Sequence, residues 1–522
     1  MIRTIVLGSR GSRLALWQAE FVKAKLEGLG YATELKIIST KGDRIQNVSF
    51  NKIEGKGFFT KEIEEALLNN EIDLAVHSYK DMPTTSPDGL VLAGNSYREN
   101  AADWMFVSKS VYQKDKKWGL PEGASIGTSS PRRAAQLLAN RPDLKIVPIR
   151  GNVPTRLAKT GNEVDAVVLA AAGVSRLDLD FSDYHLVELD KMDFVPAPAQ
   201  GVLAYQCRTE DDKTLKAIAQ LNKPYVSEEI TIERTILNKL EGGCQQPIGI
   251  YTKRQKNVFS TWVFFQKAFD VDAPKVDIYQ RFYHQSTNGD ETVKQIVNAI
   301  KNPKKQRIFI SRELGNDSYF KQYHLALGNT ITGQSLIDFK PVNFNWDNNA
   351  DWLFFSSKKG VEYFFNGIEK LNSNIKIAAI GEGTANAIKA LGYTLNFKGN
   401  GANLPQTAKN FLEQAQGQKV IFLQPTNSRK SVQKALGNAI NSVDLICYDN
   451  PIKTEFKLPE IDVLVFTSPL NAKAYYAKYP ISTKQTVVSI GVTTSAELNK
   501  LGLKNIRTAY FPCEKAMADC CW

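Results

Sequence analysis

A repeated local pattern constrains this chain more than any other feature. A short apolar run of strand length breaks at a turn of Gly, Ser, Thr or Arg, and a helical pattern follows. The run over residues 2–7 leads into Gly8-Ser-Arg-Gly-Ser-Arg13 and a helical stretch over about 14–26. The run over 72–76 leads into His77-Ser-Tyr-Lys-Asp-Met-Pro83, and that over 124–126 into Gly127-Thr-Ser-Ser-Pro-Arg-Arg133. Residues 145–149 end in Arg150-Gly-Asn-Val-Pro-Thr-Arg156, and 166–169 end in Ala-Ala-Ala-Gly173 with Arg176 close behind. Strands alternating with helices predict α/β sheets, in which the loops after strand ends carry the chemistry.

Those loops are rich in arginine. Arg10, Arg132, Arg133, Arg150, Arg156 and Arg176 all stand near predicted strand ends. A guanidinium is a planar fork that matches carboxylate or phosphate, so the set predicts a cleft gripping several carboxylates at once. Ser130 is placed to cap a helix, with Pro131 at its first position and Arg132 and Arg133 in its first turn. Asp81, beside Lys80 and with His77 nearby, is a candidate catalytic carboxylate; a solvated turn closed by Pro83 is the alternative. Further on, Cys244 lies in Leu240-Glu-Gly-Gly-Cys-Gln-Gln-Pro-Ile-Gly249. The glycines leave the thiol approachable, and three readings stay open: nucleophile, covalent tether, or small buried hydrophobe.

Composition narrows the partners. At 522 residues the chain exceeds one core, so several domains are expected. No apolar run approaches the roughly 20 residues of a membrane helix. The opening residues run straight into a strand pattern without signal-peptide organisation, and six cysteines are scattered without a disulfide framework. Together these predict a reducing cytoplasm, no membrane and no metal. The net charge of +12 lies mostly after residue 300 as lysine, without a nucleic-acid motif, so nucleic acid is not expected as a partner.

Taken in order, Gly8-Ser-Arg-Gly-Ser, Gly55-Lys-Gly-Phe-Phe59, His77-Ser-Tyr-Lys-Asp81, Gly127-Thr-Ser-Ser-Pro-Arg-Arg133, Arg150-Gly-Asn and Glu241-Gly-Gly-Cys244 resemble hydroxymethylbilane synthase (porphobilinogen deaminase) over about residues 1–303. The resemblance implies that Cys244 carries a dipyrromethane primer through a thioether. Four porphobilinogen units would be added to it with release of ammonia, giving hydroxymethylbilane. Asp81 would be the catalytic carboxylate. Lys80, Thr128, Ser129, Arg132 and Arg133 would hold the cofactor, and Arg10, Ser12, Arg150, Arg156, Arg176 and Gln200 the substrate. Three departures stand out: Tyr79 where Met or Leu is common, Pro131 after the serines, and Ala199-Gln200 in place of a more usual Gly-Gln.

The second half repeats itself. Asp351-Trp-Leu-Phe-Phe-Ser-Ser357 and Ile380-Gly-Glu-Gly-Thr384 recur as Asp462-Val-Leu-Val-Phe-Thr-Ser468 and Ile490-Gly-Val-Thr-Thr494, an offset of about 110 positions. Two copies of a strand–helix–strand–helix unit predict two similar α/β lobes facing a cleft. With Leu423-Gln-Pro-Thr-Asn-Ser-Arg429 and Cys447-Tyr448, these segments resemble uroporphyrinogen-III synthase. That resemblance implies cyclisation of hydroxymethylbilane with inversion of ring D. Tyr448 would assist loss of the hydroxyl, and Ser357, Thr384, Ser468, Thr493 and Thr494 would bind substrate carboxylates. A strand-end aromatic with a structural role is the alternative for Tyr448.

The expected architecture is α/β throughout. Two periplasmic-binding-protein-like lobes (1–97 with 196–218, and 98–195) would be followed by a small α+β domain (219–303) bearing the primer. The synthase-like lobes would span 304–340 with 453–522, and 341–452. Residues 195–201 would return the chain to the first lobe. The expected protein is a monomeric, cytoplasmic, bifunctional enzyme of heme and tetrapyrrole biosynthesis. Its rivals are a deaminase with an inactive or weakly active second half, a non-enzymatic anion receptor of the periplasmic type, and a cysteine acyl-transfer enzyme pairing Cys244 with His77.

Overall fold

The computed structural model describes residues 4–40, 60–241, 246–270, 273–275, 277–401, 403–480 and 482–522. The chain divides into two compact units, one running to Lys304 and including Trp522, the other spanning Lys305–Cys521.

The first unit begins with β1 (Ile5–Ser9), α1 (Arg13–Glu27), β2 (Thr33–Ile37), α2 (Lys61–Leu68), β3 (Leu74–Ser78) and β4 (Leu90–Asn95). The chain then builds a second sheet from β5 (Asp103–Ser108), β6 (Ser125–Gly127), α3 (Pro131–Asn140), β7 (Lys145–Val147), α4 (Val153–Leu157), β8 (Ala166–Ala170), α5 (Ala171–Ser175) and β9 (Tyr184–Leu189). It returns as β10 (Leu203–Arg208), which inserts antiparallel between β3 and β4, giving the order β2-β1-β3-β10-β4. The second sheet runs β7-β6-β8-β5-β9, with β5 antiparallel to both neighbours. The predicted alternation therefore yields mixed sheets, because each takes in an antiparallel strand after its parallel β–α units.

Two chain segments connect the sheets and lie against each other. Gly201, at φ +87°, packs so that a Cβ would sit 2.6 Å from Glu99 O, and the Glu99 amide donates to Gly201 O. Only glycine fits that approach. After α6 (Asp212–Leu221) and α7 (Pro224–Lys239), an antiparallel meander follows: β11 (Ile248–Gln255), β12 (Val258–Gln266) and β13 (Tyr279–Ser286). With α8 (Gly289–Lys301), α7 covers this sheet through Ile232, Ile236, Val293 and Ile296, which meet Ile250, Val263 and Phe282. Apolar residues at helical spacing on one face of α7 and α8 find the alternate residues of the strands.

The second unit holds two further sheets. β14 (Arg307–Ile310) and β15 (Thr330–Gly333) open the first of them. The other contains β16 (Lys340–Pro341), β17 (Trp352–Phe355), α9 (Lys358–Asn366), β18 (Lys376–Ala379), α10 (Glu382–Ala390), β19 (Phe397–Lys398), β20 (Lys419–Pro425) and β21 (Asn441–Asp449). β22 (Val463–Phe466), α11 (Pro469–Tyr476), β23 (Thr486–Ser489), α12 (Val492–Lys500) and β24 (Ile506–Thr508) then complete the first, ordered β15-β14-β22-β23-β24. All its pairings are parallel, and every residue of β17 and β22 is buried. Uniformly apolar strands are what a parallel sheet covered on both faces requires.

The sequence repeat is a structural repeat. Ser357 and Ser468 occupy equivalent N-caps, with φ −161° and −158°, and accept from Gly360 N and Asn471 N respectively. Gly381 and Gly491 cap the second helix of each copy in extended conformation. Among the described residues, no helix is long and apolar enough to cross a membrane.

Candidate functional site

β3 ends at Ser78 and the chain tightens into one 3-10 turn, Tyr79–Asp81, which brings Lys80 and Asp81 out of the first sheet. Asp81 is exposed and Lys80 half-buried. The turn is held from α7. Arg234 donates through Nη1 to the carbonyls of Met82 (3.2 Å) and Tyr79 (3.4 Å), and through Nη2 to Pro83 O. Its guanidinium also lies 4.8 Å from the centre of the Tyr79 ring. The tyrosine that departs from the family pattern thus offers a π face that Met or Leu lacks.

From the second sheet, β6 ends at Gly127 and α3 begins. Ser130 is the N-cap and Pro131 opens the helix, as expected, although the Ser130 hydroxyl makes no cap bond; Thr128 Oγ1 accepts from Ser130 N instead. Ser129 Oγ donates to Ile149 O at 2.7 Å. Arg132 and Arg133, read from the sequence as cleft residues, are only 5% and 7% exposed, because both bind an internal carboxylate. Arg132 Nη1 lies 2.7 Å from Asp103 Oδ2, and Arg133 Nη2 lies 2.7 Å from Asp103 Oδ1. Burial alone would raise the Asp103 carboxyl, but the pull of Arg132 and Arg133 wins and holds it well below the usual range.

Asp103 was not singled out from the sequence. Its one signal is a carboxylate heading the apolar run Trp104-Met-Phe-Val107. Gln200, expected to bind substrate, is fully buried, donating to Ala101 O (2.8 Å) and Asp103 Oδ1 (3.1 Å) and accepting from Lys80 Nζ at 3.5 Å. Its amide is saturated by the protein itself.

Among the described residues around Asp81, cations outnumber carboxylates. Burial lowers Lys80 to about 8; Asp81 and Asp103 oppose that shift, and Arg133 and Arg132 add to it. Burial, then Arg133 and Arg150, lowers Arg156 to about 10, with Asp81 pulling the other way. Arg156 Nε is tied to Gly151 O at 2.7 Å, and Asn152 caps α4. Such mutual crowding is relieved by anions. Arg176 lies over Trp17 and donates from Nη2 to Gly201 O at 3.1 Å, while its Nε is buried without a hydrogen-bond partner among the described residues. At the first strand end, Ser12 caps α1 by accepting from Ala15 N, and Arg10 is half-buried, near enough to His77 to depress its protonation.

His77, which the acyl-transfer reading pairs with Cys244, lies on the strand β3. It is buried, its Nε2 sits 3.2 Å from Gln206 Oε1, and burial, with Arg10 adding, lowers it to about 4. Cys244 and the Gly55-Lys-Gly57 motif lie outside the described residues.

In the second unit Tyr448, expected to present its hydroxyl to substrate, is only 4% exposed within the core under α9. It stacks on Tyr363 at 5.5 Å, and its Oη is 2.9 Å from Ser357 Oγ. Burial pushes the phenol up to about 12, only partly offset by Ser357. Ser357 and Ser468 direct their hydroxyls to helix caps. Thr384 and Thr494 are buried in the first turns of α10 and α12, and Thr493 is exposed. Sequence reasoning also missed Glu497 on α12, met by Lys473 at 3.2 Å and by Arg429 at 3.4 Å.

Residues 5–216 match the family model for the dipyrromethane cofactor-binding domain of porphobilinogen deaminase, and 227–263 match that for its C-terminal domain. Residues 322–519 match the model for uroporphyrinogen-III synthase HemD. The porphobilinogen deaminase of Bacillus velezensis is 48% identical over 254 residues, which is 48% of this chain and 79% of that protein. That of Bacillus subtilis is 47% identical over 255 residues, or 48% and 80%. A solved structure of uroporphyrinogen-III synthetase from Helicobacter pylori aligns at 20% identity and TM-score 0.32, covering 41% of this chain and 96% of that one. The chain belongs to the porphobilinogen deaminase family in its first half and carries a uroporphyrinogen-III synthase domain in its second, which makes it a bifunctional, dipyrromethane-dependent enzyme of tetrapyrrole synthesis.

Proposed function

We propose that the first half makes hydroxymethylbilane from porphobilinogen at the Asp81 turn, and that the second half closes that product to uroporphyrinogen III. The observation carrying the first assignment is the excess of cations around one exposed carboxylate. Lys80, Arg132, Arg133, Arg150 and Arg156 suit a ligand bearing several carboxylates, and the unpartnered Arg176 Nε suits one more acceptor. The dipyrromethane group, when bound, supplies the pyrrole carbon on which the chain grows. Cys244 would tether it, with Lys80, Thr128, Ser129, Arg132 and Arg133 holding its side chains.

Among the described residues of this field Asp81 is the exposed carboxylate, since Asp103 is enclosed by its arginines. It stabilises positive charge on the pyrrole nitrogen of porphobilinogen while the aminomethyl nitrogen takes a proton and leaves as ammonia. Arg10, Ser12, Arg150, Arg156 and Arg176 orient the acetate and propionate arms, which holds the reacting carbon near Asp81. In the second half, the amides at the starts of α9, α10, α11 and α12 and the exposed Thr493 supply donors to carboxylates. Tyr448 acts there through Ser357 and the cap of α9.

The domain boundaries that go with this reading are 1–97 with 196–218, 98–195, 219–303, 304–340 with 453–522, and 341–452. A cytoplasmic monomer is part of the same proposal.

Denatured intact mass tests the tether: the wild-type chain should carry a dipyrromethane adduct that Cys244→Ser lacks. Asp81→Asn should keep the adduct but lose hydroxymethylbilane formation by at least about a hundredfold. An unmodified, fully active chain would overturn the assignment. For the second half, the type III isomer should vanish from a chain ending at Lys301 and persist in the full chain.

A further inference from the structure

The first sheet's reactive turn and the second sheet's arginine pair share a residue that neither motif contains. We infer that Asp103 is a positioning residue for the cofactor-binding face, fixing the Arg132–Arg133 pair in place and setting the charge beside Lys80. This rests on the reading of the first half given above.

The topology explains why Asp103 is there. It begins β5, opposite Ala170 at the end of β8, and β8 runs parallel to β6. The start of β5 therefore lies at the sheet edge where β6 ends and α3 takes off. Its two carboxylate oxygens receive Arg132 Nη1 at 2.7 Å, Arg133 Nη2 at 2.7 Å, Arg133 Nε at 3.1 Å and Gln200 Nε2 at 3.1 Å. The side chain is fully buried. With its lone pairs so engaged, it has neither access nor capacity for direct chemistry.

Its effect passes to its neighbours. Two adjacent guanidiniums in one helical turn repel, and both are buried here; one shared carboxylate makes that arrangement tolerable. It also fixes which edge of each fork faces inward. Arg132 engages Asp103 and Val195 O through Nη1 alone, so Nε and Nη2 carry no hydrogen bond to a described residue and form a free edge for a ligand carboxylate. Through Gln200, which touches both Asp103 and Lys80, the same carboxylate is linked to the Asp81 turn. Among the described residues, the charged groups facing Lys80 are Asp81 on its own turn, Arg132 and Arg133 from α3, and Asp103 from β5. Among the described residues, Asp103 thus supplies, with Asp81, negative charge that keeps Lys80 protonated.

The test uses the full-length enzyme with Asp103→Asn and Asp103→Glu, reading adduct occupancy by denatured intact mass and the pH profile of porphobilinogen consumption. Asp103→Asn should lose most of the adduct. In the fraction that retains it, the alkaline limb should move to lower pH by about one unit, because Lys80 loses a favourable charge. Asp103→Glu, which keeps the charge, should restore the wild-type limb even where occupancy is reduced. A misfolded chain would not show that charge-dependent rescue, so loss of adduct in both variants with no difference in profile refutes the inference. So does an Asp103→Asn enzyme with full adduct and an unmoved limb. A wild-type chain without adduct overturns the reading of the first half, and the inference with it.

Discussion

Ser357 joins two roles that a pair of substitutions can pull apart. Its Oγ accepts from Gly360 N at 2.9 Å, capping α9, and also meets Tyr448 Oη at 2.9 Å. Ser357→Ala removes the cap, which costs about 1 kcal/mol. It also leaves the phenol of a residue only 4% exposed without that partner, and an unsatisfied buried hydroxyl costs about 1–3 kcal/mol. The expected loss is therefore about 2–4 kcal/mol. Tyr448→Phe alone removes one neutral hydrogen bond and strands nothing, because Ser357 keeps its cap bond; about 1 kcal/mol is expected. The double variant lacks the cap but has no stranded hydroxyl. Adding Tyr448→Phe to Ser357→Ala should therefore raise stability by at least about 1 kcal/mol, or at least about 2–4 °C in melting temperature for a domain of this size. Urea-dependent hydrogen exchange of the β17 and α9 amides in the full-length chain confines the measurement to the second half. A double variant less stable than Ser357→Ala alone would refute the reasoning. If Tyr448 acts through the cap, Tyr448→Phe should also keep type III isomer formation within about tenfold; a hundredfold loss at unchanged stability would return the tyrosine to catalysis.

Other outcomes follow from the first half. Lys80→Met should stabilise the cofactor-free protein by about 1–3 kcal/mol at pH 7 while abolishing adduct retention, since the folded state depresses this lysine from 10.5 to about 8. The sign is specific: the wild-type penalty is full below about pH 8 and fades as pH rises toward 10.5, so the two melting curves should converge on the alkaline side. Arg98→Met should destabilise by about 3–5 kcal/mol, because it leaves Glu233 and Glu229 buried without their main cation. Glu233→Gln should cost less, about 2–3 kcal/mol, since Arg98 retains Glu229; the reverse order in urea unfolding would contradict this. Tyr79→Met should cost about 0.5–1 kcal/mol through lost stacking of Arg234 and loosen the Asp81 turn, seen as faster exchange of the Met82 amide.

Elements whose residues speak for themselves locally were legible in the sequence. Ser130-Pro131 marked the start of α3, and the twin Phe-Ser and Ile-Gly segments marked a duplicated unit whose caps coincide in structure. What stayed hidden depended on residues far apart in the chain. Arginine at a strand end reads as a ligand contact, yet whether Arg132 and Arg133 face solvent turns on an aspartate three decades of residues earlier, on a strand antiparallel to its neighbours. Gln200 looked like a loop residue because the close approach of the two connecting segments is not written in either one. Ala199 shows the same limit. It replaces the usual glycine at φ +60°, a conformation costing other residues about 1–2 kcal/mol. Its methyl is fully buried with Val202, Val226 and Ile230, and that burial returns much of the strain. Tyr448 shows the limit most simply: a strand-end tyrosine looks alike in sequence whether its hydroxyl points to a ligand or, as here, meets Ser357 at a neighbouring helix cap.

Consecutive residues of α7 reach in two directions. Glu233 accepts from Arg98 at 2.9 Å, from Ala199 N at 2.7 Å and from Thr252 N at 2.7 Å, so it holds both connecting segments and the meander. Arg234 grips the turn bearing Lys80 and Asp81. The third portion of the first unit is therefore no detachable module. A fragment trimmed to the two sheets would retain every arginine of the cleft and Asp81 itself, but it would leave Arg98 without its counter-charge and the reactive turn unclamped. Minimal versions of this enzyme, and chimaeras that exchange the cysteine-bearing portion between relatives, need to carry α7 across together with the segments it binds.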